Sequence, residues 1–262
     1  MGSATTQALA ATEKALAAAK ISDLSVAQEL FAAVRTIGES SQLGGALSAW
    51  GVEGEARAGI AGQVFASFQP ATVSLLKTAV AERWSSLEDL IAGIESLAIR
   101  AAAIASPNDD VEGELFQVAR TVAANPELEL ALGSRLGETA AKGALIEKLL
   151  TGRASDATTL IVSSLVQQPR ERRVRTLLNR ALRLVADQRG RTVATVYAAA
   201  DLDSAQLERL GAALSQRYDA KVTINLVIDP AVVGGVRVEI GDDVIDATVS
   251  SRLNDLRQRL AG

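Results

Sequence analysis

The 262-residue chain has no cysteine and no histidine. Disulfides, thiolate nucleophiles, cysteine redox chemistry, imidazole general bases and histidine-ligated metals are thereby excluded. Aromatic residues make up only 3% of the chain, prolines number 5 and methionine 1, while the apolar fraction is 48% and is dominated by alanine and leucine. That balance argues for closely packed helices over an aromatic-rich sandwich. No window of about 18 apolar residues is free of charge, and the N-terminus lacks the basic segment and Leu-rich run of a secretory signal. The expectation is a protein made and kept in the cytosol, reaching a membrane only indirectly through a partner. The formal charge of -4 makes the whole molecule a poor polyanion binder, which disfavours nucleic acid as a general partner.

What the chain does contain is a repetition. Glu29-Leu30-Phe31 recurs 85 residues later as Glu114-Leu115-Phe116. The same register carries Arg35/Arg120, Thr36/Thr121, Leu43/Leu128, Ala46/Ala131, Leu47/Leu132, Glu53/Glu138, Ala56/Ala141, Leu75/Leu160 and Leu97/Leu182 without a gap. Ala and Leu matches arise easily among Ala-rich helices, but the Glu-Leu-Phe and Arg-Thr matches do not. A duplicated helical unit is the reading, and such units build length and surface.

Helix is expected over Gln7 to Lys20 and Ser25 to Ile37. Gly44, Gly45, Gly51 and Gly54 are read as breaking the regularity before helices at Ala58 to Ser67, Pro70 to Trp84 and Leu87 to about Ile104. Ser106-Pro107-Asn108-Asp109-Asp110 punctuates the chain. The pattern then repeats with Val111 to Ala124, a break at Asn125-Pro126, Glu138 to Leu150, and a helix around Leu160 to Val166. After a break at Pro169, a long helix runs to Asp187.

Beyond Gln188 the period changes. Thr192 to Ala198 reads as a strand, followed by a helix whose start has Asp203 as cap, Gln206 at the third position and a Leu202/Leu207 staple. Strands at Lys221 to Ile228, Gly235 to Ile240 and Val244 to Asp246 follow, the last pair joined by a Gly241-Asp242-Asp243 turn. Val249, Leu253, Leu256 and Leu260 predict a closing amphipathic helix. The expected fold is mainly α, with helical bundle repeats over residues 1–105 and 106–189 and a small C-terminal α/β domain over 190–262.

None of the chemistry-bearing features assembles into a site. Gly234-Gly235 lacks the third spaced glycine, the Lys-Ser/Thr pair and the following helix of a phosphate loop, and reads as a bend at the sheet edge. Asp242, Asp243, Asp246 and Glu239 do not have calcium-loop spacing and read as turn and cap formers. Lys142 and Lys148 sit in an ordinary amphipathic pattern, and no serine has a base to activate it. No catalytic residue, no metal ligand and no cofactor-binding residue is assigned, and no cofactor is expected. Trp50, Trp84 and Phe65 read as gap fillers, an exposed Trp being a plausible interface anchor.

The strongest charge feature comprises Arg170, Arg172, Arg173, Arg175, Arg180, Arg183, Arg189 and Arg191 against only Glu171 and Asp187. It reads as a protein contact, as domain-joining ion pairs, or as solvated helix surface. The alternative function, a nucleic-acid-associated helical protein using this face from Arg170 to Arg191, lacks interleaved aromatics and a recognition helix.

Val227 to Leu260 closely resembles the end of the δ subunit family of bacterial F-type ATP synthase, the counterpart of the mitochondrial oligomycin-sensitivity-conferring protein. The shared pattern is Asp229-Pro230, Gly234-Gly235, Arg237, Ile240-Gly241-Asp242, Ile245-Asp246 and Ser251-Arg252-Leu253. Asn125-Pro126-Glu127-Leu128 and Lys142 with Leu145-Ile146 resemble elements of the family's helical domain. Departures are Ala198 to Leu202, where members often have Thr-Ser-Ala-x-Pro-Leu, and Ala247-Thr248, where many have Gly-Ser.

The resemblance is close over residues 110–262 and looser over 1–105, as in the longer δ subunits of high-GC Gram-positive bacteria. It implies a noncatalytic stator subunit of the F1Fo ATP synthase, peripheral to the cytoplasmic face of the cell membrane. The implied partners are the α3β3 head, through N-terminal helices of the α subunits, and the C-terminal region of the b subunit. Such a joint lets rotation of the central stalk drive proton-coupled ATP synthesis.

Overall fold

The computed structural model describes residues 2–134, 138–170, 172–241, 243–249, 251 and 253. The chain divides into two compact units, Met1–Val185 and Ala186–Gly262.

The first unit is helical: α1 Ser3–Ala18, α2 Ser25–Glu39, α3 Ser41–Ser48, α4 Gly54–Val64, α5 Pro70–Ala81, α6 Leu87–Ala105, α7 Val111–Ala124, α8 Pro126–Gly133, α9 Thr139–Leu150, α10 Asp156–Gln167, and α11 Val174–Gln188, which continues three residues into the second unit. Side-chain caps define several starts. Ser40 accepts from the Leu43 amide at 3.2 Å, Ser86 from Asp89 at 3.1 Å, Asp110 from Gly113 at 3.2 Å and Ser155 from Thr158 at 3.3 Å. Each satisfies a donor that the first helical turn leaves orphaned.

One expected break is in fact helix. Gly44 and Gly45 lie inside α3, where a β-carbon on Gly44 would stand 2.8 Å from the Leu87 side chain; there a missing side chain serves close packing instead of a turn. The break at Asn125-Pro126 is present, Asn125 separating α7 from α8; Pro126 then occupies the first turn of α8, where its absent N–H is no loss.

The helices reproduce the duplication element by element: α2 to α5 correspond to α7 to α10. One register correction emerges. The buried positions Thr72, Leu75, Leu76, Ala79 and Val80 of α5 match Thr158, Ile161, Val162, Leu165 and Val166 of α10. That is one residue beyond the 85-residue offset, because α9 ends one residue later than α4 would predict.

The repeats also share a helix. Helix α1 packs on α5, and α6 packs in the same way on α10. The buried face of α1, Thr5, Ala8, Thr12 and Leu16, falls 85 residues before Leu90, Gly93, Leu97 and Ala101 of α6, all buried. Serving both repeats, α6 is buried without interruption from Gly93 to Ala103. Fully buried Leu30, Ile37, Leu76, Leu90, Ile94, Leu97, Leu115 and Ile161 form the core. Each is worth roughly 1.5–3 kcal/mol over an exposed equivalent.

The second unit is a four-stranded sheet of order β2-β1-β3-β4, built from β1 Arg191–Ala198, β2 Lys221–Ile228, β3 Val236–Ile240 and β4 Asp243–Asp246, with α12 Ser204–Tyr218 linking β1 to β2. The first two strands are parallel, and β3 is antiparallel to both β1 and β4. Alternation places Ala194, Val196, Val238 and Ile240 on one face with Leu214, flanked by Leu210 and Ile224. The capping box forms as expected: Asp203 accepts from the Gln206 amide at 2.7 Å, and Gln206 accepts from the Asp203 amide at 2.9 Å. Leu256 and Leu260 of the expected closing helix lie outside the described residues.

Candidate interaction surfaces

Gly234 and Gly235 turn the chain into β3 with φ of 66° and 77°. A β-carbon on Gly235 would lie 2.3 Å from the Ala247 carbonyl oxygen, so the pair is a tight bend. The nearby carboxylates are occupied individually. Asp246 accepts from the Thr248 amide at 3.0 Å, and its bonds to the Thr248 side chain and then the backbone hold its pKa below the usual value. Glu239 accepts from Tyr197 Oη at 3.1 Å and pairs with Arg237, whose guanidinium also lies over the Tyr197 ring at 5.2 Å. Burial, reinforced by Glu239, raises the Tyr197 pKa. Asp243 accepts from Tyr218 Oη at 3.3 Å. Asp242 lies outside the described residues. No group of three or more potential metal-ligating side chains occurs among the described residues.

Lys142 is buried, and its Nζ donates to the Ser134 carbonyl. Its counterpart 85 residues earlier, Arg57, donates to the equivalent carbonyl, Ala49, at 3.0 Å. Arg57 also reaches Val52 and Val80, both at 2.7 Å, Ala81 at 2.8 Å and Glu82 at 3.1 Å. Lys142 is therefore a structural tie of the α8 terminus. Lys148 is exposed.

The Glu-Leu-Phe glutamates share a task as well. Glu29 accepts from the Gln69 amide at 3.0 and 3.1 Å and from Thr72 Oγ1. Glu114 accepts from the Ser155 amide at 3.0 and 3.1 Å and from Thr158 Oγ1. Each places a negative charge at the N-terminus of α5 or α10, where the helix dipole favours it.

The arginine run divides. Glu95 of α6 is buried and accepts from Arg170, from Arg172 at 3.1 Å on both oxygens, and from Arg180 at 3.0 Å. Arg180 also donates to the Ala92 carbonyl at 3.2 Å. Burial lowers the pKa of Arg170 and Arg180, opposed by Glu95. Arg173, Arg175 and Arg183 are exposed. The ion pairs thus join the two repeats through their shared helix, a role open to the run in sequence but not assignable without Glu95.

Exposed large apolar side chains occur on both repeats. Leu130 of α8 is 73% exposed, and Leu145 and Leu149, one turn apart on α9, are 43% and 42% exposed. In the first repeat Trp50 is 64% exposed beneath the Arg83 guanidinium, 5.3 Å from the ring centroid, while Trp84 and Phe65 are buried as expected. No helix among the described residues is long and apolar enough to cross a membrane.

This combination, helical repeats tied internally by charge and ending in a small α/β unit, has matching relatives. The sequence pattern of the family "ATP synthase delta (OSCP) subunit" matches residues 98–260, starting inside the shared helix α6. The ATP synthase subunit delta of Leifsonia xyli subsp. xyli is 44% identical over 264 residues, covering 100% of both chains. That of Nocardia farcinica is 38% identical over 271 residues, again across 100% of both, and that of Streptomyces avermitilis is 42% identical over 79% of this chain and 78% of its own. A chain in the Toxoplasma gondii mitochondrial ATP synthase hexamer shares 19% identity at a TM-score of 0.38, over 64% of this chain and 97% of that one. The chain belongs to the ATP synthase delta (OSCP) family, and is accordingly a peripheral-stalk component of the F-type ATP synthase.

Proposed function

We propose that this chain is the noncatalytic joint of the stator, linking the α3β3 head to the b-subunit stalk at the cytoplasmic face of the membrane. The helical unit grips N-terminal helices of the α subunits, and the α/β unit takes the C-terminal region of b. The observation that carries this reading is the end-to-end similarity to ATP synthase delta subunits. Physical chemistry supports it. A stator joint must resist torque and needs no group that changes protonation or holds nucleotide. It needs apolar helix faces, which bury area at about 25 cal/mol per Å² before ordering costs. Leu145 and Leu149, one turn apart on α9, and Leu130 on α8 offer exposed apolar surface of this kind.

The test is co-purification of the full chain with α3β3 and with b, followed by crosslinks assigning each repeat. Leu130→Asp, Leu145→Asp and Leu149→Asp should each leave helicity intact, and together should weaken head binding by at least about tenfold. Stable failure of the wild-type chain to bind either partner would overturn the reading.

A further inference from the structure

One carboxylate neutralises one guanidinium, yet three converge on Glu95. The Glu95 side chain is 3% exposed, beneath arginine side chains that are 22% exposed for Arg170 and 26% for Arg172 and Arg180. Among the described residues, positive charge therefore faces outward and the Glu95 carboxylate lies below it. Both carboxylate oxygens already accept twice, Oε1 from Arg172 and Arg180 and Oε2 from Arg170 and Arg172. The Nε atoms of Arg170 and Arg172 remain buried without a partner. Among the described residues, the charges acting on Arg170 and Arg180 apart from Glu95 are positive, namely Arg172, Arg180 and Arg183. Arg170 also holds a left-handed backbone, φ 48°, a conformation that a residue with a β-carbon rarely adopts. Like charges held this close repel, and nothing about joining two repeats requires more than one arginine.

We propose that the arginine cluster over Glu95 is a docking site for an acidic, carboxylate-bearing segment of a partner protein. Guanidinium forks match carboxylates in bidentate geometry, and exposed Arg173, Arg175 and Arg183 extend the positive field around the cluster. A short acidic peptide suits this patch better than an extended polyanion, because the chain as a whole carries -4 and repels one beyond the patch. If the partner is another stator or head subunit, the proposal rests on the functional reading above; the binding chemistry itself does not.

The experiment titrates hexaglutamate into the purified full chain by calorimetry at low and high salt. Saturable binding is expected at low salt, weakened at least about tenfold by Arg172→Gln and unchanged by Arg209→Gln, a control on exposed α12 surface. Glu95→Gln keeps an acceptor oxygen while removing the competing charge, and should tighten binding several-fold. Arg172→Gln and Arg180→Gln keep the test decisive if that variant does not fold.

Absence of binding, or equal binding by Arg172→Gln, overturns the proposal. So does competition by inorganic phosphate at equal concentration, which would mark a free-oxyanion site, or an Arg172-dependent preference for duplex DNA. Failure to bind α3β3 or b would sink the stator reading while leaving the hexaglutamate result standing.

Discussion

Arg57 in the first repeat and Lys142 in the second occupy the same place, yet among the described residues the arginine ties five carbonyls and the lysine one. The shared acceptor, Ala49 or Ser134, shows what duplication retained: a buried cation closing the end of the third helix of the repeat. The difference shows what drifted. A planar guanidinium can cross-brace the α5 terminus as well, which a point-charge ammonium on a flexible stem does less readily. By contrast, Glu29 and Glu114 kept residue, acceptor geometry and target helix together. Identity persisted where one side chain meets a helix N-terminus, and varied where any cation suffices.

The largest effect that could break this comparison is at the cations. Arg57→Ala should destabilise the helical unit by on the order of 3–5 kcal/mol, since buried carbonyls lose a charged donor, whereas Lys142→Ala should cost about 1–2 kcal/mol. Urea denaturation followed by circular dichroism measures both, and equal losses would erase the distinction. Next, Glu29→Gln and Glu114→Gln should each cost about 1 kcal/mol and agree with one another within about 0.5 kcal/mol; a marked inequality would show that the two helix ends are not equivalent.

A smaller effect, opposite in sign, belongs to Gly59. It is helical, has nothing within 4 Å of an added β-carbon, and stands where the second repeat already carries Ala144. Gly59→Ala should stabilise by about 0.5–1 kcal/mol, read as a raised melting temperature.

The smallest concerns pH. Asp23 accepts from the Ser25 side chain and amide, the latter at 2.9 Å, and these bonds lower its pKa from 3.8. Its folded value lies below its unfolded one, so its contribution is present above about pH 3.8 and lost as pH falls through the lowered folded value. NMR titration of Asp23 should show the depressed midpoint, and Ser25→Ala should return it toward normal.

Local features were legible wherever neighbouring residues decide the outcome. The Asp203/Gln206 capping box, the Lys221–Ile228 strand and the Gly-Gly bend all follow from contacts within a few residues. Asn125-Pro126 marked a real break between α7 and α8, whereas Gly44-Gly45 misled because glycine serves turns and close-packed helices alike; the close approach of Leu87 settles which. The one-residue shift between α5 and α10 was hidden because Ala- and Leu-rich faces match almost as well at either offset. The arginine run could not be divided, because Glu95 lies 75 to 85 residues away from Arg170, Arg172 and Arg180.

Sequence alone determined that this protein is mainly helical, that its helical part is a duplication, that it has no imidazole or thiol chemistry, and that it resembles the δ subunits. Those properties reside in composition, short-range pattern and residue identity. Only the tertiary structure decided that one helix belongs to both repeats, that Arg57 and Lys142 are ties, and that three arginines crowd a single carboxylate. Burial on two sides and convergence of distant side chains depend on how helices stack in space, and no local period in the chain encodes that.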